Sequence, residues 1–120
     1  MSKVEEFQSQ RIAYNDILAK YANRSQKTFF GLDGSTYQAG ALDKKTKELL
    51  GFSTSLVLRC DDCILYHLIE CHKAGVTSEE LAETISVAML VGGSITIPHV
   101  RRAMKVWDEE LAETAAKAAA

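Results

Sequence analysis

Proline is nearly missing from this chain, with one among 120 residues, and cysteine is scarce, with three. The first shortage leaves helices free to run, and the second, an odd number, excludes a disulfide-stapled secreted scaffold. A basic excess is also missing: 14 Lys and Arg stand against 16 Asp and Glu, for a formal net charge of -2. That balance offers no polycationic face to phosphate backbones or anionic lipid, so neither nucleic acid nor membrane is an expected partner. No apolar run approaches the roughly 18 residues of a membrane span, and Met1-Ser2-Lys3-Val4-Glu5-Glu6 carries acids where a signal peptide carries bases. The expectation is a cytoplasmic protein.

What is present is average for a globular chain, 47% hydrophobic and 25% charged residues, and the length suits one domain over 1–120. Its patterning is helical throughout. Val4, Phe7, Tyr14, Ile17, Leu18 and Tyr21 recur at helical intervals and predict a first helix. Residues 23–42 lose the periodicity at Asn23, Ser25, Gly31, Gly34, Ser35 and Gly40, which predicts a structured connection with room for a short helix, and Phe29, Phe30, Leu32 and Tyr37 packed against the body. Asp43 is placed to cap a second long helix running to about Leu58, with Leu49, Leu50, Ser53, Leu56 and Val57 on one face.

A third helix starts around Cys60 to Asp62, buries Ile64, Leu65, Leu68 and Ile69, and ends at Gly75, the residue best suited to a left-handed position. Thr77 or Ser78 caps a fourth, with Leu81, Ile85, Ala88 and Met89 as its apolar stripe. After Gly92-Gly93-Ser94, the residues Ile97, Val100, Met104, Trp107 and Leu111 repeat by threes and fours, with Pro98 in the first turn. The alanine-rich end, 112–120, has little to bury and is expected to fray.

Cys60-Asp61-Asp62-Cys63-Ile64-Leu65-Tyr66-His67 concentrates the chemistry. On a helix these two thiols and the imidazole fall within roughly 60° of one another, on one face. Sulfurs one turn apart can join with little backbone movement, a helix N-terminus favours thiolate, and His67 is one turn beyond Cys63. These are the parts of a nucleophile, a resolving thiol and a base. Simple packing and a structural zinc site are the competing readings. Zinc would draw on Cys60, Cys63, His67 and Cys71, yet eleven residues of helix span about 16 Å, too far for both end cysteines to reach one ion at about 2.3 Å. Cys71 reads as a packing residue, and His99 has no partner evident in the sequence. Glu48, among Lys44, Lys45 and Lys47, reads by periodicity as part of a solvated face; two consecutive antiparallel helices could instead bring it to His67.

Leu42-Asp43-Lys44-Lys45-Thr46-Lys47-Glu48-Leu49-Leu50, the spacing E-x11-C-x-x-C-x-x-x-H, Ala74-Gly75-Val76-Thr77 and Val91-Gly92-Gly93 resemble the carboxymuconolactone decarboxylase family. Within it, the chain is similar to the AhpD-like alkylhydroperoxidase branch, over residues 36–107. The resemblance implies an all-α, AhpD-like helical bundle that assembles into homotrimers or hexamers, and a proton relay mapping onto Glu48, His67, Cys60 and Cys63. It implies a thiol-dependent peroxidase or disulfide oxidoreductase without cofactor or metal. Its substrates would be small hydroperoxides or disulfides, its electron donor a thioredoxin-like or lipoyl-bearing protein.

The branch commonly has histidine immediately before the second cysteine, where this chain has Asp62 beside Asp61. Two carboxylates there are expected to raise a neighbouring thiol pKa and repel anionic partners. The rival functions are a lactone-decarboxylating lyase and a non-enzymatic helical assembly with a structural metal site. In the redox reading Cys63 attacks, because His67 is one turn away, and Cys60, at what is expected to be the more exposed end, resolves and meets the reductant.

Overall fold

The protein is described by a computed structural model over residues 2–112, and among these there are six α-helices and no strand. They are α1 (Lys3–Tyr21), α2 (Arg24–Thr36), α3 (Lys44–Leu58), α4 (Asp61–Lys73), α5 (Ser78–Gly92) and α6 (Ile97–Val106). A short 3-10 turn, Ser94–Thr96, leads into α6, and a wide π-type turn, Trp107–Ala112, extends it. The predicted fraying of the alanine-rich tail falls on residues 113–120, outside those described; Ala112 closes the last turn.

The helix starts follow from their caps. Ser2, Asn23, Asp43 and Thr77 each accept a backbone N–H from the residue three positions on, satisfying donors that a helix leaves unpaired. At Thr77 the bond is reciprocal: Glu80 N–H donates to Thr77 Oγ1 at 3.1 Å and Thr77 N–H to Glu80 Oε1 at 2.9 Å. Thr77, rather than Ser78, is therefore the cap, and Ser78 is left to accept from the Trp107 indole at 2.9 Å. Gly75, at φ 84°, takes the left-handed position expected of it.

The core lies where α3 packs on α4 and α5, closed by α6 and its extension. Phe52, Leu56, Leu68 and Leu81 are wholly buried, each contributing about 1.5–3 kcal/mol by burial alone. Of the stripes expected on α4 and α5, Ile64, Leu68, Ile69, Leu81, Ile85 and Ala88 are buried, while Leu65 and Met89 are half-buried at the edge of the core. On α3 the buried face is rotated from the expected one. Leu50 is exposed, and Glu48, Phe52, Ser55 and Leu56 point inward.

The largest departure is the segment before α3. Residues 24–36 form a 13-residue helix rather than a connection with a short helix; Asn23 caps its start, and it carries Gly31 and Gly34 inside it, both clear of other atoms. Nor do Phe29, Phe30 and Leu32 pack against the body; all three are exposed. Neither α1 nor α2 buries a residue, and Tyr14, Ile17, Leu18 and Tyr21 also face outward. Helix α1 is attached near its start through Val4, whose N–H donates to Glu110 at 2.8 Å, and near its middle through Arg11, set over the Tyr66 ring at 4.6 Å. No helix among the described residues is long and apolar enough to cross a membrane.

Candidate functional site

Two residues, Arg59 and Cys60, connect α3 to α4. Arg59 adopts the left-handed backbone at φ 58°, a conformation that costs a residue with a Cβ about 1 kcal/mol. It lets the chain reverse at once, and Arg59 N–H and Cys60 N–H both return to Ser55 O. The reversal leaves Cys60 as the N-cap of α4, where its sulfur accepts the Cys63 N–H at 3.2 Å. Cys60 and Cys63 are at disulfide distance, Cα atoms 5.2 Å apart. Cys63 is the exposed member and Cys60 is partly buried, the reverse of the expected order. A capping sulfur must turn back over the helix end, and that turn covers Cys60.

Because α3 and α4 run back on one another, Glu48 meets His67. Its Oε2 accepts from His67 Nδ1 at 3.0 Å, and Lys44 lies 3.5 Å from its other oxygen. Glu48 is 2% exposed. A carboxylate can be held there because it is paired; unpaired, it would cost several kcal/mol. The solvated-face reading of Glu48 is thereby overturned. Its lysine neighbours suggest solvent, and only the partner on another helix accounts for its burial.

His67 makes a second contact that the sequence reading missed: its Nε2 lies 3.3 Å from the Tyr37 hydroxyl, with ring centroids 5.2 Å apart. Burial, and then the charge of Glu48, raise the Tyr37 pKa and keep the hydroxyl protonated. No spacing rule could have found Tyr37, thirty residues away on a different helix end. His67 and Tyr37 also line a pocket of about 420 Å³ with Leu42, Leu50, Thr54 and Ser55.

Asp61 and His99 require a further correction. Asp61 does not stand as a free charge beside the thiols: its carboxylate is 2.7 Å from His99 Nδ1 and 3.2 Å from Arg102. The His99 hydrogen bond, with help from Arg102, holds the Asp61 carboxyl below its usual range. The repulsion expected from two adjacent acids is accordingly offset at Asp61, by residues of α6 that carry no motif. These three side chains border a second cavity, of about 200 Å³, between α1, α4 and α6.

Cys71 is a core residue, wholly buried and free, and burial pushes its thiol up to about 12. It should resist iodoacetamide in the reduced native protein at pH 8 while Cys63 reacts. Mass spectrometry that finds Cys71 carboxamidomethylated without denaturant would contradict its placement.

The sequence model of the carboxymuconolactone decarboxylase family matches residues 24–106. Uncharacterised protein 4 of the cox locus of Paracoccus denitrificans is 33% identical over 81 residues, covering 68% of this chain and 73% of that protein. Among solved structures, the fold is similar to that of a carboxymuconolactone decarboxylase family protein of Thermotoga maritima, described as a candidate participant in antioxidative response. The two are 46% identical, the TM-score is 0.82, and the match covers 87% of this chain and 88% of that one. An apo family protein of Legionella pneumophila is 28% identical with a TM-score of 0.82, over 91% of this chain and 97% of its own.

Proposed function

As this chain belongs to the carboxymuconolactone decarboxylase family, we propose that it is a thiol-dependent peroxidase or disulfide oxidoreductase of the AhpD-like branch. The observation that carries the reading is the cysteine pair at disulfide distance one turn before a buried histidine–carboxylate pair. The antioxidative description of the Thermotoga relative points the same way.

The steps follow from the positions. Cys63, exposed, loses its proton to the His67 side and attacks a hydroperoxide oxygen; the O–O bond breaks, an alcohol leaves, and Cys63 becomes a sulfenic acid. Cys60, whose sulfur faces the positive end of α4, attacks that sulfur and expels water as the disulfide forms. An external dithiol, on a thioredoxin-like or lipoyl-bearing protein, returns two electrons by attacking the exposed Cys63 sulfur. Cys60 is then the better leaving group, since the helix end stabilises its thiolate.

The test is peroxide consumption with a dithiol reductant, run beside a lactone-decarboxylation assay on the same preparation. Turnover of peroxide alone supports the redox reading; turnover of lactone alone replaces it with the lyase. The exposed apolar residues of α1 and α2 support assembly of several copies, three or six by the family resemblance, and a stable monomer by light scattering at micromolar concentration would count against that.

A further inference from the structure

His67 has a partner at each ring nitrogen. Glu48 offers only acceptor oxygens, so the Nδ1 contact at 3.0 Å places a proton on Nδ1 and leaves Nε2 with a lone pair in the neutral ring. The donor to that lone pair is the Tyr37 hydroxyl, at 3.3 Å. This is longer than the best hydroxyl bonds, a length from which the group can turn away.

Tyr37 is held there with some effort by the fold. It ends α2, a helix that buries none of its residues. Lys47 fastens it: its Nζ donates to Thr36 O at 2.8 Å and to Gln38 O at 2.6 Å, the carbonyls on either side of Tyr37. Gly51, one turn further along α3, supplies the space. A Cβ on it would lie 2.7 Å from His67 Cε1, 2.8 Å from Nδ1 and 2.8 Å from the Tyr37 oxygen. Glycine inside a helix is about 1 kcal/mol worse than alanine, and at this position no larger residue leaves both groups in place. Within one turn and a half, α3 therefore presents a clamp for Tyr37, a carboxylate for His67 and the gap in which they meet.

We propose that Tyr37 is a positioning residue of the Glu48–His67 pair, held by Lys47 and admitted by Gly51, and that its hydroxyl fixes the neutral tautomer of His67 and partners Nε2 in both protonation states of the ring. The inference rests on the redox reading of Cys60 and Cys63. When the ring is protonated at Nε2 the new N–H needs an acceptor, and the hydroxyl can turn from donating to accepting, so the imidazolium keeps an oxygen at each nitrogen.

The test uses Tyr37→Phe, which retains the ring and removes the hydroxyl, and Lys47→Met, which retains the hydroxyl and removes the clamp. In Tyr37→Phe the Nε2 nitrogen resonance of His67 in the oxidised protein should move downfield, towards an unbonded ring nitrogen. Iodoacetamide alkylation of the reduced pair should slow about fivefold at neutral pH, the loss of one ordinary hydrogen bond, with the pH profile displaced. Lys47→Met should move the resonance in the same direction by less. An unmoved Nε2 resonance and pH profile in a folded Tyr37→Phe protein overturn the inference, even if the wild type consumes peroxide. If the wild type consumes none and the resonance still moves, the peroxidase reading falls and the placement of Tyr37 stands.

Discussion

Serine at position 63 is expected to lower peroxide turnover by at least about 100-fold and to abolish both sulfenate trapping and mixed-disulfide formation with a dithiol reductant. Serine at position 60 should also lower turnover and be opposite in what it accumulates: sulfenate on Cys63 after peroxide, and a mixed disulfide on Cys63 that persists when the reductant has only one thiol. The reason lies in the geometry at the start of α4. Cys63 is exposed and one turn from His67, whereas Cys60 is partly buried with its sulfur accepting the Cys63 N–H at 3.2 Å. An attacking group needs access and a base; a leaving group needs a stabilised thiolate. Both the peroxide and the reductant therefore meet Cys63, which changes the sequence-based expectation that Cys60 greets the reductant. Dimedone labelling followed by mass spectrometry reads the outcome. Label on Cys60 in the Cys63→Ser protein, at an undiminished rate, would reverse the roles.

Glu48→Gln should slow peroxide turnover by about 5- to 10-fold, the range expected when a charge-assisted hydrogen bond of about 1.5–3 kcal/mol is reduced to a neutral one of about 0.5–1.5 kcal/mol. Glutamine is nearly the same shape, and its amide oxygen can still accept the Nδ1 proton, so the ring keeps its orientation. What is lost is the charge that stabilises an imidazolium inside a site where Glu48 is 2% exposed. Disulfide formation driven by a strong oxidant should continue, because it needs no general base. Stopped-flow single turnovers separate the two steps. A rate within twofold of wild type would leave Glu48 with a structural task alone.

The sequence by itself determined the helical class, most of the helix starts, the stripes of α4 and α5, and the cysteine–histidine register. These are local properties: a cap acts across three residues, as Thr77 does with Glu80, and Cys60, Cys63 and His67 share a face because one helix carries all three. The family spacing added Glu48. Only the tertiary structure decided that Glu48 is buried, that Tyr37 covers Nε2, that His99 and Arg102 balance Asp61, and that Cys63 rather than Cys60 faces solvent. Each of these depends on a partner from another segment, or on how the chain turns between segments. Asp61 and His99 are 38 residues apart, and no periodicity records which distant side chain will neutralise a charge. Helix α2 shows the same division from the other side. Asn23, which reads in the sequence as a break in the periodicity, is its cap, and its failure to bury Phe29, Phe30 and Leu32 was equally hidden, because apolar residues state what a helix can cover and leave open what surface it is given.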